Sequence, residues 1–147
     1  MVKLEIDGVD RIAKAFQKMT YTQALKIVRY SIYPGAGIVM DAVRTEVEEH
    51  HSITGDMGRS VALGKMKTVG DFTRTRLQWI GYDEKGVPNV VKARALESGT
   101  SDGRIQATHF VSKTVEGVKA DAVKAMQEAF DKKISEILGE RPGEETK

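Results

Sequence analysis

The side chains able to do acid–base or metal chemistry are few: Glu49, His50, His51, Asp56 and His109. Adjacent histidines point to opposite faces of a strand and diverge by about 100° on a helix. His50 and His51 therefore lack the i, i+4 spacing of a helical metal pair, and no bound metal or other cofactor is expected. The chain has no cysteine, which removes disulfides, thiolate ligands and thiol nucleophiles. It also has no Gly-x-Ser-x-Gly elbow and no phosphate-cradling glycine loop. A non-enzymatic protein is the expectation. A different chemistry is offered by Lys65 and Lys67 with Arg74 and Arg76 across a hairpin. Such a basic strip can meet DNA phosphates without reading sequence. Against it stands a near balance of 23 basic and 21 acidic residues, net +2, under which the same side chains serve as an ordinary solvated sheet face.

These residues need elements to hold them. The length of 147 residues suits one domain with one core. Val2, Leu4 and Ile6 alternate with Lys3, Glu5 and Asp7 as in a half-buried strand. Gly8 ends that pattern, and Asp10 is placed to cap a short helix over 11–19. A second helix begins near Thr22 and carries Leu25, Val28, Ile32, Val39, Val43 and Val47 at helical spacing. Pro34-Gly35 falls inside it, so a kink or split is predicted over 32–36. Strands follow at 61–66 and from Phe72 to Tyr82, joined by a Val69-Gly70-Asp71 turn. Asp83-Glu84-Lys85-Gly86 reads as a turn, and Asn89 as the cap of a short helix over 90–97. From Phe110 the apolar positions Val111, Val115, Val118, Ala122, Met126, Phe130, Ile134 and Ile137 mark one face of a long helix. Thr108 is its expected N-cap, and Gly139 and Pro142 are its stop.

The predicted class is α+β: a small antiparallel sheet packed on a long kinked helix and a long C-terminal helix. The domain spans 1–138, and 139–147 form a charged, frayed tail. Ala36, Ala42, Ala120, Ala122, Ala125 and Ala129 permit close helix packing. No run is long enough to span a bilayer. Met1 leads into no apolar signal segment, so synthesis in the cytoplasm is expected.

Two loops punctuate this order. One holds Thr54, Gly55, Arg59 and Ser60; the other holds Glu97, Gly99 and Thr100. Both carry turn chemistry, with glycine free to take positive φ and hydroxyls to bond nearby backbone. Glu97 is expected to accept from backbone N–H groups or to pair with Arg59 or Arg94. Phe72, Trp79 and Tyr82 on the hairpin, with Phe110 at the helix start, are the aromatic candidates for contact anchors.

Three segments coincide in order and spacing: Thr54-Gly55-Asp56-Met57-Gly58-Arg59-Ser60-Val61, Leu96-Glu97-Ser98-Gly99-Thr100-Ser101 and Ala107-Thr108-His109-Phe110-Val111. Together they resemble the small tail-component family of long-tailed phages and prophages. That family runs helix, P-x-x-T-G-x-L-x-x-S-I, β-hairpin, E-F-G-T-S, P-F and C-terminal helix. The chain differs at Met57 and Gly58, at Ser98 in place of the aromatic, and at Thr108-His109 in place of the proline. The resemblance implies a structural virion protein acting in tail completion or head–tail joining. It implies assembly with identical subunits, six to a ring, and with adjoining tail or connector proteins. The alternative is a DNA-binding or packaging accessory protein of the same gene cluster.

Overall fold

The computed structural model describes residues 9–51, 55–70 and 72–139. In chain order the elements are α1 (Val9–Gln17), α2 (Tyr21–His50), α3 (Asp56–Ser60), β1 (Val61–Leu63), β2 (Lys67–Val69), β3 (Phe72–Arg74), β4 (Leu77–Trp79), α4 (Asn89–Ser98) and α5 (Phe110–Leu138). Helix carries most of the chain, with a small antiparallel β part, so the class is α+β. Among the described residues, no helix is long and apolar enough to cross a membrane.

Helix α2 starts at a reciprocal box. The Gln23 N–H donates to Thr20 Oγ1 at 3.3 Å, and the Thr20 N–H donates to Gln23 Oε1 at 2.9 Å, satisfying two donors that a helix start leaves open. The helix then buries Ile27, Ser31, Gly35, Val43 and Val47, a ladder with a four-residue step, and half-buried Val39 fills the gap. Helix α5 lies antiparallel along this ladder. Val47 packs with Phe110 at one end, Gly35 meets Ala122 and Met126 at the centre, and Lys133 sits 4.3 Å from the Tyr30 ring centre at the other. A Cβ on Gly35 would lie 2.5 Å from Met126 Cγ and 2.7 Å from the Ala122 carbonyl oxygen. Glycine is what lets the two backbones approach this closely.

The split expected at Pro34 does not occur, since α2 is one helix from Tyr21 to His50 with Pro34 inside it. Pro34 lies on the exposed side while its neighbours Ser31 and Gly35 are buried against α5. The face clamped on both sides of the proline outweighs the one backbone bond that proline removes.

The hairpin also departs from expectation. Two continuous strands were predicted; the structure has two short ladders, β1 with β4 and β2 with β3. Val61 faces Trp79 and Leu63 faces Leu77, whereas Lys67 faces Arg74 and Val69 faces Phe72. Gly64, Lys65 and Met66 on the outgoing strand therefore oppose only Thr75 and Arg76 on the return. One extra residue makes this a β-bulge. It is tied by the Gly64 N–H donating to the Arg76 carbonyl at 2.8 Å and by Thr75 Oγ1 donating to the Gly64 carbonyl at 2.9 Å. The turn expected after Val69 is present, since Val69 pairs with Phe72 and Gly70 takes φ +58°.

Beneath the hairpin sits the main core: Val43, Val47, Met57, Val61, Ala93 and Phe110, with Leu77, Trp79 and Leu96 packed against it. Helix α1 packs on α5, where Ala15 and Ile134 are fully buried. Helix α1 begins at Val9, so Asp10 is inside the helix and does not precede it. Asn89 likewise is the first helical residue of α4 after Pro88, and its amide donates to the Ile80 carbonyl at 3.1 Å in place of capping. The predicted strand over 2–7, Ile53-Thr54 and the charged tail beyond Gly139 lie outside the described residues.

Candidate functional site

The corner between α4 and α5 is held by one carboxylate. Glu97 accepts from the Val111 N–H at 2.8 Å, the Ser112 hydroxyl at 2.7 Å and the Ser112 N–H at 3.4 Å. Glu97 thus caps α5 from 14 residues upstream. The expected cap, Thr108, is used otherwise: its hydroxyl and its N–H both donate to the Leu96 carbonyl. The N-cap position belongs to His109, which takes a left-handed φ of 51° and makes no side-chain cap. Burial raises the Glu97 pKa, but the Ser112 hydroxyl, the two N–H groups and nearby His109 more than offset that, and the net shift is downward. Gly99, at φ +74°, has the Ala107 nitrogen and the Ile105 carbonyl 2.9 Å from where a Cβ would stand. The loop beyond it is pinned by Thr100 and Asp102. Glu97 is therefore structural, and its hydrogen-bond partners lie on α5, not on Arg59 or Arg94.

The first loop is similar in kind. Gly55 takes φ +80° ahead of α3, Arg59 bonds Asp56 at 2.6 Å, and buried Ser60 donates to the Met57 carbonyl. Thr54 is outside the described residues.

The histidines do not diverge as expected. His50 Nδ1 lies 3.3 Å and His51 Nε2 3.7 Å from the two oxygens of Glu46. His51 has left the helix, with φ −130° and ψ 0°, and that turn swings its ring back onto the same carboxylate and against Phe110 at 4.9 Å. Glu49 is exposed, and His109 lies at the α4–α5 corner. Among the described residues no group of three His, Cys, Asp or Glu side chains could hold a metal.

Sequence reasoning missed a polar cluster at the hairpin base. Asp83 accepts from the Lys85 and Val87 N–H groups at 2.9 and 2.8 Å and pairs with Lys92. The Lys92 hydrogen bond, then that of Val87, draws the Asp83 pKa down despite an opposing desolvation. Both residues line a cavity of about 410 Å³ floored by Met57, Leu96 and Ile105. The available signal was an aspartate three residues ahead of a glycine, a turn pattern without functional specificity.

The four aromatic candidates separate. Phe110 is 3% exposed and meets Trp79 edge-on at 6.0 Å, and Trp79 is half-buried in the same core. Both rings therefore pack in the core. Phe72 is 78% exposed and faces exposed Val69 at the hairpin tip, and Tyr82 is 71% exposed where it bridges to Pro88. Lys65, Lys67, Arg74 and Arg76 are all exposed and line one concavity beside the bulge. The structure thus brings the basic strip together on the hairpin face opposite the core. Comparison of the chain with protein-family models, with characterised proteins and with solved structures finds no match.

Proposed function

We propose that this chain is a structural assembly subunit of a phage or prophage particle, acting in tail completion or head–tail joining at the head-proximal end of the tail. The observation that carries the reading is the hairpin surface. A packed pair of long helices holds out a β-ribbon with exposed Phe72 and Val69 at its tip and exposed Ile80 and Tyr82 just past the end of its return strand. Contiguous apolar side chains presented on a braced element suit protein–protein contact. The resemblance of the three loop segments supplies the setting: identical subunits repeated about a six-fold axis, with adjoining tail or connector rings as further partners. In this reading the protein is made in the host cytoplasm and ends in the virion. It acts by binding and positioning, without a catalysed reaction.

The test is electron microscopy of particles made with this gene deleted, beside a complemented control. The expected result is DNA-filled heads accumulating with unattached or malformed tails, restored by complementation. Normal joined particles from the deletion would overturn the reading.

A further inference from the structure

The hairpin carries a local electrostatic conflict. Lys67 and Arg74 are direct cross-strand partners, and like charges placed opposite one another destabilise a ladder. Arg76 follows on the same face two residues along, about 7 Å away at strand spacing. Lys65 joins from the bulge, where the extra residue turns the outgoing strand. The four side chains surround a concavity of about 300 Å³ with Gln78 and the backbone at Gly64. Among the described residues none of the four makes an ion pair, and no Asp or Glu lines the concavity. Three other cations of the chain do have carboxylate partners: Arg59 with Asp56, Lys92 with Asp83 and Lys133 with Glu136.

We infer that this face of the hairpin is a binding site for the phosphodiester backbone of a nucleic acid. An extended polyanion is the ligand that relieves four unpaired cations spread along two strands. Two guanidiniums can each grip a phosphate through two N–H groups, while the two ammoniums act as point charges beside them. The Gln78 amide adds a neutral donor at the same rim. No hydrophobic side chain lines the concavity, only the aliphatic stems of its polar residues, so it offers a poor seat for the hydrophobic anchors by which a peptide docks. Contacts of this kind fix position and carry no base sequence. The inference stands apart from the assembly reading, because it uses the cationic face and none of the apolar tip or base.

Fluorescence anisotropy of a labelled 20-nucleotide DNA, as single strand and as duplex, tests it over a salt series. Binding is expected with log K falling linearly in log salt, by about 0.7 per phosphate on the single strand and about 0.9 on the duplex. Replacing Lys65→Ser, Lys67→Ser, Arg74→Ser and Arg76→Ser together should weaken binding at least tenfold at low salt and flatten that slope. The same variant should melt no lower than the parent, since it removes repulsion. The pair Arg74→Ser with Arg76→Ser should lower the slope by about two phosphates. Absence of binding by the parent to either DNA would overturn the inference. So would unchanged affinity in the fully substituted, folded variant. Equal competition by polyglutamate of matched charge would overturn it too, since the face would then select no phosphate.

Discussion

At the scale of single residues, Glu97 does the most with one side chain. Its carboxylate takes three hydrogen bonds from the first turn of α5, fixing the angle at which the last helix leaves the α4 corner. Its pKa is lower folded than unfolded. The stability it contributes is therefore complete above the unfolded glutamate value of about 4.3 and is lost as pH falls through the folded value. Glu97→Gln keeps the size and leaves one acceptor oxygen. At neutral pH it should cost about 0.5–2 kcal/mol, the range for a lost helix cap. In the acidic window below about pH 4.3 the gap between parent and variant should close progressively, measured as the difference in Tm across matched buffers. A gap that stays constant through that window would show that the carboxylate charge does not stabilise α5. Nothing near Glu97 in sequence announces this role, because its partners lie 14 and 15 residues on. Only the class of partner, backbone N–H groups, was legible.

Elements were legible where the period is local and obscured where a distant contact decides. The apolar series from Val111 to Ile137 gives α5 almost to the residue, and every member of it is buried or half-buried. The hairpin turn follows from turn chemistry in the same way, and α2 starts at Tyr21, one residue from where its apolar spacing begins it. A split at Pro34 was the wrong half of the expectation, because the rule for an isolated helix omits the neighbour that keeps α2 continuous through residue 35. The bulge was invisible because a three-against-two count depends on register, which neither strand carries alone. His51 was misplaced because its φ and ψ depart from the helix by one residue. The helix crossing makes a paired prediction. Gly35→Ala pushes a methyl into the Ala122 carbonyl and Met126 and should destabilise by about 1–3 kcal/mol. Gly37→Ala, two residues along the same helix with no atom within 4 Å of the added Cβ, should stabilise by about 0.5–1 kcal/mol. Urea unfolding of both reads the difference, and equal midpoints would mean that the backbones do not meet at Gly35.

For the whole molecule, the two surfaces of the hairpin region differ in chemistry. Three odd positions of the return strand turn inward: Leu77 and Trp79 join the core, and Thr73 bonds Thr68, which takes a bond from Arg29 of α2. The even positions Phe72, Arg74 and Arg76 turn outward. Because the ribbon is fastened at both the core and α2, its exposed groups have a fixed direction, which a repeated contact between copies requires. Tyr82 is the clearest single probe of that contact, since its ring is exposed and lies outside the core cluster. Burying such a ring at an interface is worth about 1.5–3 kcal/mol, or about ten- to a hundredfold in each association constant. Tyr82→Ser should therefore leave Tm within about 2 °C, because surface changes of this kind stay within about 0.5 kcal/mol. It should shift self-association, read by light scattering over a dilution series, by at least tenfold in concentration. Phe72→Ser should act at the tip in the same direction, and the double variant should add if the two patches meet different regions of the neighbour. Self-association unchanged by both substitutions, with particles still joining in a complemented deletion, would remove these side chains from the interface and leave the cationic face as the functional surface of the hairpin.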